Sequence, residues 1–297
     1  MAFTTFNHGR IARFGAGATI LRAATNDGLS DEQLQAAAPS VFANEAHGSR
    51  SERYTYIPTS EVLKGLRAEG FVPFEVRQGG SRDDEKRAFT KHLLRLRHAH
   101  DLEKQAGENV RELVMLNAHD GTSSYKLMSG VFRIVCSNGL IASIGEATEH
   151  RVAHKGDIVG NVIEGAYRII HESEQVTAAI EDMRSVQLSV SEQDAFAEAA
   201  LALRYEEGKA PDVLPAMIHR ARRSADVGND LWRTFNRTQE TLINGGVHYT
   251  HRAANGARSR RESRPVNGID GNVALNRALW VLADKMAEIK GGSPLAA

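Results

Sequence analysis

The sequence predicts an α+β protein, with a small mixed or antiparallel sheet and helices in its N-terminal half and long amphipathic helices in its C-terminal half. Three observations predict it. Short apolar or alternating runs closed by turn residues crowd the stretch 51–155. From 156 onward, apolar residues recur at steps of three, four and seven. The composition of the 297-residue chain, 41% apolar and 25% charged, is that of an ordinary globular protein.

Residues 1–50 are rich in Ala, Gly, Ser and Asn and read as a partly ordered arm. Within it a helix over Ser30–Ala38 is expected, with Ser30 as N-cap and Asp31 and Glu32 in its first turn. Tyr54–Pro58 reads as an extended segment stopped by proline. The next helix starts at Thr59, with Thr59 or Ser60 as cap and Val62, Leu63 and Leu66 as its buried stripe, and Gly70 ends it. Phe71–Arg77 alternates as a strand. Ala88–His98 fits either period; Leu94 and Leu96 alternating with Arg95 and Arg97 favour a strand. Arg111–Asn117 is a strand closed by the turn signal His119-Asp120-Gly121. Ser124–Val135 reads as extended at both ends with a break at Ser129-Gly130, and Asn138-Gly139 as a turn.

The second half is helical. Ile158, Val162, Ala166, Ile169, Val176, Ile180 and Met183 mark one long amphipathic helix over Gly156–Met183. Ser191 caps a second, running to Glu207. Leu231, Phe235, Gln239 and Leu242 share one stripe of a third, ended by Asn244-Gly245-Gly246. Asp270–Ile289 forms the last. The organisation expected is an arm (1–50), one α+β domain (51–290, sheet-rich to 155 and helical beyond), and a disordered tail (291–297).

The chain carries 37 Lys and Arg against 37 Asp and Glu, so its formal net charge is zero. That excludes a protein that coats nucleic acid through bulk charge. The cancellation is between segments. Lys86–His98 holds five Lys or Arg, two His and no acid. Arg252–Pro265 holds five Arg against Glu262, in a stretch of loop composition. Glu174–Glu207 holds eight acids against Arg184 and Arg204. A basic loop of this kind must be solvated, paired with an acidic surface, or bound to an anion. Arginine favours the last for phosphate, because its planar fork bonds two oxygens together. Tyr249, just upstream, has the side chain of a base-stacking platform. The candidate nucleic-acid contacts are Lys86, Arg87, Lys91, Arg95 and Arg97 in the first basic stretch, and Tyr249, Arg252, Arg258, Arg260, Arg261 and Arg264 around the second.

Catalytic signals are sparse. The single cysteine, Cys136, permits no intramolecular disulfide and no four-cysteine zinc site. His98-x-His100 has a spacing found in metal sites, with His92, Asp101 and His119-Asp120 near in sequence but no third ligand fixed by spacing. Asn117–Thr122 lacks the alternating carboxylates of a calcium loop and reads as a turn. Phosphate-loop, nucleophile-elbow and zinc-protease motifs are missing. Trp232 and Phe235, at helical spacing, read as core. No cofactor is expected. With no apolar run of membrane-spanning length and no secretory leader pattern, the expectation is a soluble cytoplasmic protein.

Several segments together resemble one family. They are Arg53–Glu61 (RYTYIPTSE), Gly70–Gln78 (GFVPFEVRQ), Arg87–His98 (RAFTKHLLRLRH), Leu113–Leu127 (LVMLNAHDGTSSYKL) and Val131–Leu140 (VFRIVCSNGL), followed by Val162–Tyr167 (VIEGAY), Asn229–Phe235 (NDLWRTF) and Leu275–Ala283 (LNRALWVLA). The combination, spanning residues 50 to 288, resembles the phage/plasmid-like proteins grouped as domain-of-unknown-function family 932. The resemblance implies a context of mobile genetic elements and their bacterial hosts. It carries no catalytic residues.

Three functions stay open on the sequence. The first is a nucleic-acid-binding accessory of phages and plasmids, acting on single-stranded DNA in recombination or replication and self-associating through its acidic and basic segments. The second is an interaction module that engages host defence or replication proteins. The third is a metal-dependent enzyme built on the region of His92, His98 and His100.

Overall fold

The computed structural model describes residues 9–49, 56–102, 109–133, 139–140, 149–151, 157–206, 209–252 and 255–291. The chain divides into two compact units, one of residues 1–131 and 147–173, the other of 132–146 and 174–297.

The first unit is built on an antiparallel sheet. Strands β1 (Ala12–Arg13), β2 (Thr19–Arg22), β3 (Phe71–Gln78), β4 (His92–His98) and β5 (Asn109–Asn117) pair in chain order. Strand β6 (Lys126–Arg133) follows, and β8 (Glu149–Arg151) pairs antiparallel with β6. The segment before residue 50 supplies β1, β2 and helix α1 (Asp31–Ala37). Ser30 caps α1 in a full capping box with Gln33, as its sequence predicts. The register of β3 shifts between Pro73 and Glu75, a bulge where a proline without an N–H is tolerated.

One sheet face, α1, helix α2 (Thr59–Ala68) and the first half of α3 (Ile158–Ser185) enclose an apolar core. Leu34, Val62, Leu66, Phe71, Val76, Leu94, Leu96, Leu113, Met115, Val162 and Ala166 lie in it. Each large aliphatic side chain buried here contributes roughly 1.5–3 kcal/mol. Two local expectations are corrected. Strand β6 runs through Ser129-Gly130 without a break. Helix α2 has Pro58 at its N-cap and no side-chain cap, because the Thr59 hydroxyl is turned into the interior.

The second unit is mainly helical. It holds the end of α3, α4 (Val190–Arg204), the short α5 (Pro215–Ile218), α6 (Leu231–Asn244) and α7 (Ile269–Ile289). It also contains a two-residue strand, β7 (Gly139–Leu140), and a hairpin of β9 (His248–Arg252) and β10 (Arg258–Glu262). The cap of α4 is Ser189, in a box with Glu192, rather than Ser191. Helices α4, α6 and α7 pack on one another, with Trp232 stacked on Phe235 and Trp280 edge-on to Phe235. Several buried polar groups of α6 are paired: Arg237 donates to the carbonyls of Asp226 and Gly228 and to Gln193, and Gln239 to Asn276. Trp232 Nε1, Arg237 Nε and the Thr238 hydroxyl are buried without a hydrogen bond among the described residues. Among the described residues, no helix is long and apolar enough to cross a membrane. Cys136 lies outside the described residues.

Candidate nucleic-acid interface

The two basic stretches have different fates. In the first, β4 alternates as expected: Leu94 and Leu96 enter the core, and Arg95 and Arg97 take the opposite sheet face. There the register sets Arg95 beside Glu75 on β3 and Arg97 beside Glu112 on β5. Glu75 accepts from Arg22 at 2.5 Å, Arg77 at 2.6 Å and Arg95 at 2.9 Å. Glu112 accepts from Arg95 at 2.5 Å and Arg97 at 2.7 Å. Arg97 also lies over the Phe74 ring, 4.0 Å from its centroid. Burial alone would raise the Glu75 carboxyl, but the facing guanidiniums of Arg22, Arg77 and Arg95 outweigh it and hold it well below the usual range. Arg95 and Arg97 are thus engaged by carboxylates of their own sheet. Lys86 and Arg87, on the turn before β4, are exposed but sit by Asp83 and Asp84, at 3.8 and 2.6 Å. Lys91 is half-buried.

The second basic stretch has the composition of a loop but folds as the β9–β10 hairpin, which corrects that expectation. Asn255 and Gly256 explain it. The Asn255 side chain accepts from the Ala257 N–H, and Gly256 takes φ +80°, which reverses the chain and lets the flanks pair. The register sets Arg258 opposite Arg252, Arg260 opposite Thr250, and Arg261 opposite Tyr249. Every residue of β10 is exposed. Arg258 and Arg260 share one face, and Arg261 takes the other. Arg264 follows, also exposed. Among the described residues, the side chains of Arg258, Arg260, Arg261 and Arg264 meet no carboxylate and make no hydrogen bond. The side chain of Arg252 lies outside the described residues. The acidic stretch 174–207 has other partners: Glu181 pairs with Arg184, Glu192 with Lys290, Asp194 with His219 and Glu206 with Lys209. Tyr249 is half-buried, close enough to Tyr205 to raise the latter's hydroxyl pKa as a lesser cause behind burial.

A two-stranded hairpin is marginal in water unless something holds its root. Here the root is zipped: Gly246 N–H donates to Ser263 O, Ser263 N–H to Val247 O, and Val247 N–H to the Ser263 hydroxyl, at 2.9, 2.9 and 3.0 Å. Two arginines from outside the basic stretches complete it. Arg204, at the end of α4, donates to the carbonyls of both Leu242 and Arg264, where the chain enters and leaves the hairpin. Arg222, itself exposed, donates to Gly245 O at 2.9 Å. The run Arg220-Ala221-Arg222-Arg223 was the only sequence signal for the latter. Arg223 is not free for an anion, since it forks onto Glu240 at 2.8 and 2.5 Å.

Gly245 makes the root possible. Its φ of +69° and ψ of −146° fall near a region open essentially to glycine. A Cβ there would lie 2.3 Å from Ser263 O. Gly245→Ala is therefore expected to destabilise the protein by about 2–3 kcal/mol, read as a lowered urea midpoint, and to weaken any ligand the hairpin holds.

The histidines form two separate pairs. His98 and His100 stack, with ring centroids 4.8 Å apart and planes at 28°, and His98 Nδ1 accepts from the His100 backbone N–H at 3.4 Å. His92 and His119 are buried, 5.2 Å apart, around the Thr59 hydroxyl. That hydroxyl is 2.9 Å from His92 Nε2 and 3.4 Å from His119 Nε2, and it accepts from Asn117 at 3.0 Å. Among the described residues, no three His, Cys, Asp or Glu side chains gather as a metal site. Asp120 accepts from Thr122 in the turn read from the sequence.

The fold defines the protein as an α+β chain of two units, a helix-backed antiparallel sheet and a helical unit bearing an arginine-rich hairpin. The chain belongs to the family described as domain of unknown function DUF932, whose model matches residues 46–280. It is 47% identical over 277 residues to UPF0380 protein YfjQ of Escherichia coli (strain K12), covering 93% of this chain and 96% of that protein. UPF0380 protein YafZ of the same organism is similar to the same extent, 47% over 277 residues. No solved structure matches the chain.

Proposed function

We propose that the protein binds nucleic acid through the β9–β10 hairpin, with Arg258, Arg260 and Arg261 on phosphate oxygens and Arg264 and Arg222 extending the basic surface at the root. The observation that carries this reading is the set of exposed guanidiniums on an anchored strand, without a carboxylate partner among the described residues. In the first basic stretch and on the flank of α6, by contrast, Arg95, Arg97 and Arg223 each have an acid beside them. Clustered guanidiniums repel one another, and an anion relieves that repulsion while taking two hydrogen bonds from each fork. The resemblance to phage and plasmid proteins makes DNA handling in recombination or replication the fitting process. Catalysis has no part in this reading.

Fluorescence anisotropy with a labelled oligonucleotide tests it. Binding is expected at about 50 mM salt and should weaken by roughly 10- to 100-fold by about 200 mM, as a handful of phosphate contacts requires. Absence of binding at the lower salt removes the proposal. Co-purification of host proteins that survives nuclease treatment, without oligonucleotide binding, would favour an arm that docks on an acidic protein surface.

A further inference from the structure

We infer that the nucleic acid taken by the β9–β10 arm is a duplex, with the ribbon standing in its major groove. The inference rests on the reading of the arm as a phosphate-binding element and sharpens it to a substrate class.

Two features of the arm favour a duplex over the single strand expected from its sequence. The first is the place of its aromatic ring. Sites for single strands set exposed rings beside their cations, so that bases stack while the backbone is neutralised. Tyr249 is the one Phe, Tyr or Trp among the described residues of β9 and β10. It is half-buried near Tyr205 rather than exposed, and although Arg261 is its cross-strand partner, it sits on the ribbon face opposite Arg258 and Arg260. The neighbours of those arginines on their own face are Arg252, Thr250, His248 and Glu262, none of which offers the broad apolar ring of a stacking platform.

The second is the distribution of charge over the ribbon. Arg258 and Arg260 extend from one face of β10 and Arg261 from the other, all exposed. A ribbon lying flat on a single strand uses cations on one face. A ribbon between two phosphate walls uses cations on both. The major groove, about 12 Å wide, admits a two-stranded ribbon, whereas the minor groove, about 6 Å wide, is too narrow. Paired strands lie about 4.8 Å apart and rise about 3.4 Å per residue. The five residues of β10 therefore reach roughly 17 Å along the groove.

The test uses the full chain in anisotropy titrations against a labelled duplex of about 20 base pairs and against each of its strands alone, at equal salt. The duplex presents the denser charge, and binding at least about tenfold tighter than to either strand is expected. Arg260→Ala and Arg261→Ala, one from each face, should each weaken duplex binding by a similar factor, with thermal unfolding unchanged. Single-strand binding equal to or tighter than duplex binding overturns the inference and leaves the phosphate-binding reading standing. Loss confined to Arg260→Ala overturns the seating between two walls. Failure to bind either form overturns the underlying reading, and the duplex inference with it.

Discussion

Replacing Glu75 by alanine is expected to cost about 3–5 kcal/mol of folding stability, because it strips the carboxylate from a buried cluster of like charges. Glu75 is 1% exposed and meets Arg22, Arg77 and Arg95. Without it, Arg95 keeps Glu112, but Arg22 and Arg77 each lose the carboxylate recorded beside them. Domains of this kind are stable by only about 5–15 kcal/mol in total. The variant should therefore unfold at a far lower urea concentration than the wild type. Glu75→Gln, which keeps the shape and removes the charge, should also fall well below it. A loss under about 1 kcal/mol in the alanine variant would show that the arginines are stabilised by something other than Glu75.

Mild acid is expected to destabilise the protein through His92 and His119. Burial pushes the His92 imidazole down to about 3, with nearby His119 adding to the shift. Burial likewise pushes His119 down to about 4, against an opposing pull from Asp120. The hydrogen bonds of His92 fit a neutral ring: the Thr59 hydroxyl donates to His92 Nε2, while His92 Nδ1 donates to Thr90 O, and His119 Nε2 lies 3.4 Å from the same hydroxyl. Well above pH 6.5 the pair is neutral folded or unfolded and contributes no pH dependence. Below it the unfolded histidines take up protons that the folded ones refuse, so stability falls with pH. The slope is about 1.4 kcal/mol per unit for each histidine, or about 2.7 for both, until the folded pair itself protonates near pH 4 and 3. Urea midpoints between pH 6.5 and 5 measure it before carboxylates titrate. His92→Gln should halve the slope whatever it does to absolute stability. An unchanged slope would show that His92 does not carry it.

Much of the fold was legible because it follows from period and punctuation. The steps from Ile158 to Met183 gave α3, Ser30 with Asp31 and Glu32 gave α1, and the alternation around Leu94 and Leu96 gave β4. The misses have physical causes. Thr59 has the chemistry of a cap, but its hydroxyl is claimed by histidines that are 33 and 60 residues away in sequence. Arg95 and Arg97 looked like a charged outer face, and only strand order brings Glu75 and Glu112 to them. The stretch around Arg258 looked like a loop because its apolar content is low. It is a strand because Asn255-Gly256 turns the chain and Gly245, Ser263, Arg204 and Arg222 hold the root. Of the residues in the expected interface, the sequence marked Arg258, Arg260, Arg261 and Arg264 from charge density alone. Arg222 escaped it because its relation to the hairpin is set by the helical unit, not by local pattern.

The salt dependence of oligonucleotide binding, compared between the wild type and a protein carrying Arg258→Ala, Arg260→Ala and Arg261→Ala, tests the central claim most directly. Each phosphate contact contributes about 0.9 to the slope of log affinity against log salt on duplex DNA. The triple variant should therefore lose roughly 2.7 from that slope, with unfolding unchanged. Equal slopes, at whatever affinity, would contradict the claim that these arginines grip phosphate.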